Sequence, residues 1–210
     1  SRIARTTDFK TFEDIWSVHK DAYNSASIEK STLKRGQDGQ FRYFTSYVSP
    51  EDGRWCTTLN KAPSIEELNP SNTQPLFKAT DLGLEGVKDP WILEEDGKYS
   101  LFLSVAIDTS TTKDSSHDTL DIFNTGECIS ATALATSTDL DNWDWQGVIL
   151  KPEGDTAWDK YCRRINSVLP LNGKYYAFYD GSEGHHQNYE ERTGLAASTD
   201  LKDWTILSPE

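Results

Sequence analysis

Three carboxylates stand where this sequence could carry out acid–base chemistry: Asp89, Glu29 and Glu183. Two carboxyl groups divide such work when one stays protonated as the acid and the other is ionised as the base or nucleophile. Asp89 is the candidate for the ionised group, and Glu29 and Glu183 are alternative candidates for the acid. Each also has a structural interpretation: Asp89 precedes Pro90, as in a plain turn, and Glu29 can be a solvated charge before a strand.

Two cationic positions are candidates to hold Asp89 ionised. Lys88 is its neighbour in sequence, but successive residues of a strand point to opposite sides, so Arg164 from a later repeat is the favoured partner. Arg163 and Arg164 also have a structural interpretation, since a chain this acidic offers them surface carboxylates to pair with. The Glu190-Glu191 pair is predicted to be solvated.

Further polar and aromatic side chains suit ligand binding. Trp91 either belongs to the core or presents an aromatic face to a sugar ring. Adjacent histidines rarely face the same ion, so His185 and His186 beside Glu183 predict polar contacts rather than a metal site. The full set of ligand-binding candidates is Arg163, Arg164, Asn166, Asp180, Trp91, His185 and His186.

Composition limits the classes of protein and partner. The chain has 210 residues, 36% of them hydrophobic, with 7 Trp, 9 Tyr and 8 Phe, which suffices for a core and argues against disorder. Its formal net charge of -13 disfavours nucleic acid and anionic membranes as partners, because their phosphates attract Lys and Arg. The charge suits a neutral or cationic partner, and an uncharged sugar would meet no such repulsion.

No segment predicts a cofactor, a metal site or a membrane span. No run approaches the roughly 18 apolar residues that cross a bilayer, and Ser1–Arg5 lacks the apolar stretch of a signal peptide. Cys56, Cys128 and Cys162 are odd in number, widely spaced, and match neither a zinc pattern nor a disulfide framework. We expect ordinary thiols, no cofactor, and a soluble protein that is either cytoplasmic or secreted; a structural metal ion stays open.

Two local patterns recur along the chain and predict how the candidate residues are positioned. A turn dipeptide before an aromatic-rich segment occurs at Asp38-Gly39, Asp96-Gly97 and Asn172-Gly173. Such pairs accept the positive φ of a tight turn, so each copy predicts a β-hairpin.

The second pattern predicts the turn that ends each repeat. Asp8, Asp139 and Asp200 can each bond the backbone amides of their own turn, with an aromatic residue four positions later. The interval between the two patterns lengthens in one repeat, which predicts a long loop at 106–130. Helical turns are expected only within 10–20 and 64–68.

A hairpin, a third strand, a turn and a fourth strand make one blade of a β-propeller. We therefore predict an all-β propeller rather than a β-sandwich, whose strands do not repeat in sequence. The predicted single domain, 1–210, contains the end of a preceding blade at 1–16 and blades at 24–83, 84–150 and 158–210. Because a closed ring has at least four blades, we expect these roughly three and a half blades to belong to a larger ring, completed by further residues or another chain.

Propeller strands alternate in direction, so first-strand starts, second-strand ends and the loops to the third strands share one face. Binding groups tend to lie on such loops over a rigid scaffold. The loops on this face are 106–130 and 181–193. The polar residues gathered there are Glu29, Asp89, Arg163, Arg164 and Asn166 from the strand starts, and Ser46, Ser104 and Asp180 from the strand ends.

The segment Val87–Phe102, with its Asp-Pro and Asp-Gly-Lys-Tyr, resembles the blade signature of five-bladed glycosidases. These are glycoside hydrolase families 43 and 32, with families 117 and 130 as relatives in fold. Asn172–Tyr179 and Ala197–Trp204 resemble their recurring strand and turn. The resemblance implies a five-bladed β-propeller and a glycoside hydrolase in which Asp89 matches the middle of three carboxylates, the one that orients the acid or stabilises the transition state.

The resemblance breaks in the following blade, where Cys162–Ser167 stands in place of the families' Glu-Gly-Pro or Glu-Cys-Pro acid. Three functions therefore stay open. They are a glycoside hydrolase acting on an oligo- or polysaccharide, a carbohydrate-binding propeller without catalysis, and a protein-interaction scaffold. Two carboxylates in a central funnel would favour the hydrolase, whereas one acid among aromatic rings would favour the binding protein.

Overall fold

The computed structural model describes residues 1–154, 157–187 and 190–208, and β-strands dominate it. The helices among these residues are single 3₁₀ turns of three to six residues: Lys20–Tyr23, Pro70–Asn72, Thr80–Leu82, Asp114–Thr119, Ile122–Asn124 and His185–Gln187. The predicted all-β class is therefore confirmed. None of the described helices is long and apolar enough to cross a membrane.

The strands form one hairpin and then three antiparallel meanders, which we call blades 1, 2 and 3. The hairpin pairs β1 (Arg2–Arg5) with β2 (Glu13–Ser17). Blade 1 contains β3 (Ile28–Arg35), β4 (Phe41–Val48), β5 (Trp55–Ala62) and β6 (Gln74–Phe77). Blade 2 contains β7 (Gly86–Glu95), β8 (Lys98–Asp108), β9 (Cys128–Ser137) and β10 (Asp144–Leu150). Blade 3 contains β11 (Cys162–Leu171), β12 (Lys174–Ser182), β13 (Arg192–Ser198) and β14 (Thr205–Ile206).

The turn dipeptides open the blades as the sequence predicts. Asp96 and Gly97 have φ of 49° and 73° between β7 and β8, and Asn172 and Gly173 have φ of 52° and 74° between β11 and β12. Two successive positive φ angles match the twist of a two-residue hairpin. Each turn therefore places the start of its first strand at the far end of the blade, where the candidate site residues lie.

The core fills the spaces between neighbouring blades. Leu101 and Leu103 of β8 are buried in one cluster with Phe44 of blade 1, whereas Phe102 is buried in another with Tyr179 of blade 3. Because successive strand residues point to opposite faces, blade 2 packs on both sides. Its third strand carries small residues that allow close packing on both sides, and three of them are fully buried: Ala131, Ala133 and Ala135.

Two expectations about the connecting segments need correction. Residues 13–17 form a strand rather than a helical turn, because they pair with β1. The long loop of blade 2 runs from 109 to 127 rather than from 106 to 130, because β8 continues to Asp108 and β9 begins at Cys128, with the two ends paired. Hydrogen bonds to the neighbouring strand extend both strands past the point where the polar composition begins.

Candidate functional site

A β-bulge interrupts the first strand of every blade at a matching place. The pairing register skips Lys30 in β3, slips by one residue at Asp89-Pro90 in β7, and skips Asn166 in β11. A bulge leaves one residue outside the ladder and re-aims its side chain, and bulges are common beside active sites. The three bulges turn one residue from each blade toward a shared centre.

Blade 1 holds the bulge of blade 2 in place. Asp89 has a φ of 58°, in the left-handed region. Its backbone N–H donates to Ser46 Oγ at 2.8 Å, and Thr32 Oγ1 donates to the carbonyl oxygen of Pro90. These bonds satisfy backbone groups that the bulge removes from the ladder, which stabilises the unusual backbone and leaves the Asp89 carboxylate directed away from its own strand.

Two adjoining cavities of about 490 and 390 Å³ meet at Lys30 and Asp89, and we call them together the central depression. Both cavities are open to the surface and lined by residues of all three blades. Six of the sequence-predicted residues line it: Glu29, Asp89, Trp91, Arg164, Asn166 and Asp180. The predicted convergence of acids from separate blades is therefore observed for Glu29 and Asp89.

An ion pair fixes Glu29 at the rim of the depression. Lys88 Nζ donates to Glu29 Oε2 at 2.8 Å and lies 4.8 and 5.0 Å from the ring centres of Trp55 and Phe123. Cation–π contacts of this kind stabilise a buried ammonium. Lys88 therefore presents its charge to Glu29 and holds that side chain in place.

The predicted partner of Asp89 is not the observed one. Arg164 donates to Glu191 Oε1 at 2.8 Å, while the ammonium of Lys30 lies 4.0 Å from Asp89 Oδ2. Burial lowers the pKa of Arg164, but Cys162 and the carboxylates around it, Asp89 and Glu191 among them, outweigh burial and raise the pKa above its ordinary value. Arg164 therefore remains a fixed positive charge in the wall of the depression.

Two residues of the site escape prediction from the sequence. Glu191, expected to be solvated, is largely buried against Arg164, and Lys30 links the blades by donating to Asn166 Oδ1 at 3.4 Å. Glu191 follows an irregular loop and Lys30 follows the predicted Glu29, so neither carries a local motif. The recurring blade pattern is the sequence feature that could have pointed to Lys30. It does so only when the pairing of the strands is known.

Four predicted residues are not brought to the central depression. Arg163 points to the other side of β11, where it donates to Asp159 Oδ1 at 2.8 Å, as strand alternation requires. Glu183 pairs with Lys160 at 3.7 Å, outside the lining of either cavity. The last two, His185 and His186, are exposed on the loop that was predicted at 181–193 and runs from 183 to 191, because β12 continues to Ser182 and β13 begins at Arg192; residues 188 and 189 lie outside the described part of the chain.

Trp91 packs in the core and also borders the depression, and its contact with a sugar stays a prediction. Its ring packs 5.7 Å from the ring of Phe102 and against the core between blades 2 and 3. The residue also lines the cavity that contains Asp89 and Asn166. One face of the side chain therefore belongs to the core while another part borders the depression.

The loop 109–127 forms a wall of the depression. Trp55 Nε1 donates to the carbonyl of Leu120 at 3.1 Å, and His117 Nε2 lies 2.8 Å from Glu85 Oε2. These contacts tie the loop to blades 1 and 2. The loop residues that line the depression are Leu120, Asp121 and Asn124.

Neither a metal centre nor a reactive thiol is evident in the described residues. No group of three or more His, Cys, Asp or Glu side chains within them could hold an ion. All three cysteines are free and buried, and burial raises the pKa of Cys162 to about 11 and that of Cys56 to about 12. These thiols stay protonated at neutral pH and are packing groups.

No protein-family model and no curated protein sequence matches this chain. Solved structures do match it. A thermostable family-43 glycoside hydrolase aligns with a TM-score of 0.67 at 15% identity, over 100% of this chain and 64% of its own. The GH32 β-fructofuranosidase BmSUC1 of Bombyx mori aligns with a TM-score of 0.55 at 16% identity, over 89% of this chain and 38% of its own.

A third structure extends the likeness to another family. Zg3597, a family 117 glycoside hydrolase of the marine bacterium Zobellia galactanivorans, aligns with a TM-score of 0.61 at 14% identity, over 89% of this chain and 57% of its own. The chain has the fold of a partial β-propeller. This propeller spans less than two thirds of each of the three solved chains, and the predicted resemblance to families 43, 32 and 117 is confirmed at the level of the fold.

Proposed function

We propose that this propeller belongs to a glycoside hydrolase acting on an oligo- or polysaccharide, with the central depression as its site. The observation that carries the proposal is the convergence of Glu29, Asp89 and Arg164, each from the first strand of a different blade, on one depression. Polar groups that meet in a concave site on a rigid scaffold are typical of ligand binding. We further propose that the ring has five blades, as in the families that the sequence resembles.

The surroundings of each carboxylate suggest its role. Glu29, with Lys88 at 2.8 Å, suits an ionised base that activates water, rather than the acid that the sequence analysis favours. Asp89, aimed into the depression by its bulge, suits a group that stabilises the positive charge developing on the sugar. Arg164 and Glu191, fixed to each other, suit hydrogen bonding to sugar hydroxyl groups. Glu183 lies away from the depression and has no part in the proposal.

One observation favours a second candidate, a carbohydrate-binding propeller without hydrolysis. Three carboxylates of the depression each have a cation within 4.0 Å: Glu29 with Lys88, Asp89 with Lys30, and Glu191 with Arg164. Hydrolysis also requires a carboxylic acid that keeps its proton. Paired carboxylates bind hydroxyl groups well but are poor proton donors, so this arrangement also suits binding alone.

Hydrolysis and binding assays on the same panel of sugars distinguish the two candidates. The protein and its Asp89→Asn variant are compared on 4-nitrophenyl glycosides and on a glycan array. Hydrolysis by the parent that falls at least about 100-fold in the variant supports the hydrolase. Binding without hydrolysis supports the second candidate, and neither activity on any sugar contradicts both.

A further inference from the structure

The bulge in β3 marks Lys30 as the counterpart of Asp89. The pairing skips Lys30 in β3 and Asn166 in β11, and Asp89 lies with Pro90 at the slip in β7. Lys30 has a φ of 23° and Asp89 a φ of 58°, both in the region that side-chain-bearing residues rarely occupy. Strained backbone of this kind persists where the surroundings enforce it, and it concentrates at ligand sites. Strand pairing therefore sets a cation, a carboxylate and an amide at equivalent positions around one centre.

The separation between two of these groups leaves space for a ligand atom. Lys30 Nζ and Asp89 Oδ2 are 4.0 Å apart, which is too far for a direct hydrogen bond. Asn166 Oδ1 accepts from the same ammonium at 3.4 Å and helps to orient it. The Lys30 side chain is 59% exposed whereas that of Asp89 is 8% exposed, so the ammonium covers the carboxylate from the open side.

We propose that Lys30 contacts the ligand directly and that one sugar hydroxyl group bridges Lys30 and Asp89. A hydroxyl group donates one hydrogen bond and accepts others, so it can donate to the Asp89 carboxylate while it accepts from the Lys30 ammonium. Hydrogen bonds to charged groups are stronger than those between neutral groups, so this hydroxyl group determines specificity. The proposal rests on the proposed carbohydrate function and adds a residue and a ligand group to it.

The charge balance favours a neutral hydroxyl group over an anionic ligand. The three cations that line the depression, Lys30, Lys88 and Arg164, each lie within 4.0 Å of a carboxylate. Asp121 and Asp180 add further acidic groups to its lining. A phosphate, sulfate or carboxylate on the ligand would meet more negative than positive charge there.

Deoxy sugars test the bridge. From the same panel, the glycoside with the strongest activity or binding is compared with its monodeoxy analogues on the parent protein, Lys30→Met and Lys30→Arg. We expect Lys30→Met to weaken binding or hydrolysis of the unmodified glycoside about tenfold or more. Lys30→Arg should retain most of the binding or activity that Lys30→Met loses. One deoxy analogue should already bind or react weakly with the parent protein, because it lacks the bridging hydroxyl group. For that analogue Lys30→Met should cause no further loss, since the interaction that the substitution removes is already absent.

Lys34→Met is the matched control, because Lys34 lies on the same strand and pairs with Glu94 at 3.5 Å, outside the depression. Thermal unfolding of each variant shows whether it is folded. An equal loss for every analogue in Lys30→Met, or no loss at all, overturns the role of Lys30 while the proposed function stands. A parent protein that neither binds nor hydrolyses any sugar of the panel overturns both.

Discussion

Aspartate residues serve different purposes at the two ends of the blades. At the end that carries the hairpin turns, Asp139 Oδ1 accepts from the backbone N–H groups of Asp141 and Asn142 at 2.9 and 2.7 Å. Asp200 Oδ1 accepts in the same way from the two N–H groups of its own turn. At the opposite end, Asp89 uses its backbone N–H to bond Ser46, and its carboxylate faces Lys30 across a gap.

The two ends distinguish a carboxylate that is bonded within its own turn from one that lines a cavity. The backbone N–H of Asn142 and its side-chain amide are the main donors that hold the pKa of Asp139 well below its ordinary value. Such a carboxylate has its acceptor sites filled by its own turn. Asp89 is held by its backbone instead, and its mostly buried side chain lines the depression without a hydrogen bond from its own turn.

Cations follow the same division. At the turn end, Arg42 is only 2% exposed and donates to Asp141 at 3.0 and 2.6 Å. It also donates to Asp38, so its guanidinium group bonds carboxylates from two blades. At the depression, Lys30 and Glu29 keep much of their surface in solvent. The turn end is built for cohesion between blades, and the depression end keeps polar groups accessible.

The largest expected effect is at Asp89. Replacing it with Asn removes the charge but keeps the shape, so we expect activity on the best glycoside to fall about 100- to 10,000-fold with the fold unchanged. Steady-state kinetics and circular dichroism measure the two properties. The matched control is Asp200→Asn at the turn end, which we expect to leave activity as it is; equal losses in both variants would remove the distinction between the two ends.

Arg42→Met tests cohesion at the turn end. It leaves Asp38 and Asp141 without their buried partner, but both carboxylates are partly exposed and keep Lys61 nearby, so we expect the free energy of unfolding to fall by about 1.5–3 kcal/mol. Urea denaturation measures the change. Arg2→Met is the control, because Arg2 and Asp14 form a pair that is mostly exposed, with 76% and 57% of their side chains accessible, and such pairs contribute about 0–1 kcal/mol. Similar losses of unfolding free energy in the two variants would mean that Arg42 stabilises the packing between blades no more than an exposed ion pair does.

Lys88→Met tests whether the proposed role of Glu29 depends on its contact with the Lys88 ammonium. We expect kcat/KM to fall about tenfold, because Glu29 loses the ammonium group that holds it at 2.8 Å. Lys78→Met is the control, since Lys78 pairs with Glu51 at 2.6 Å away from the depression. An unchanged kcat/KM in Lys88→Met would argue against a role for Glu29 in the reaction.

The smallest expected effect is at Asp139. Asp139→Ala removes the side-chain acceptor of the turn, and we expect a loss of about 1 kcal/mol in the free energy of unfolding at pH 7. Because the folded-state pKa of Asp139 lies below its unfolded value, its contribution is complete above about pH 4 and is lost as the pH falls below that. The difference in free energy of unfolding between parent and variant should therefore be smaller at pH 3 than at pH 7, as measured by denaturation curves at each pH. The same difference at both pH values would contradict this assignment.

The sequence predicts the hairpins and the acid turns because both depend on residues that are close in the chain. The positive φ at Asn172 and Gly173 follows from their residue types, and the bonds of Asp200 close within three residues. The depression was predicted in part: strand direction alone brings Glu29 and Asp89 to one end. The roles of Arg163 and Glu191 were not predicted, since they depend on which side of a strand faces a neighbouring blade.

The residue types and their repetition along the chain thus determine the blades, their turns and the end at which polar groups collect, because these features arise from local hydrogen bonding and strand periodicity. The tertiary structure alone decides that Lys30 aligns with Asp89 and Asn166. Lys30, Asp89 and Asn166 lie at different separations from the hairpin turns at Asp38, Asp96 and Asn172, so counting along the sequence does not align them. Each bulge shifts the register of its own strand, and only contacts between residues as far apart as Lys30 and Asn166, 136 positions along the chain, fix where the shifted side chains meet.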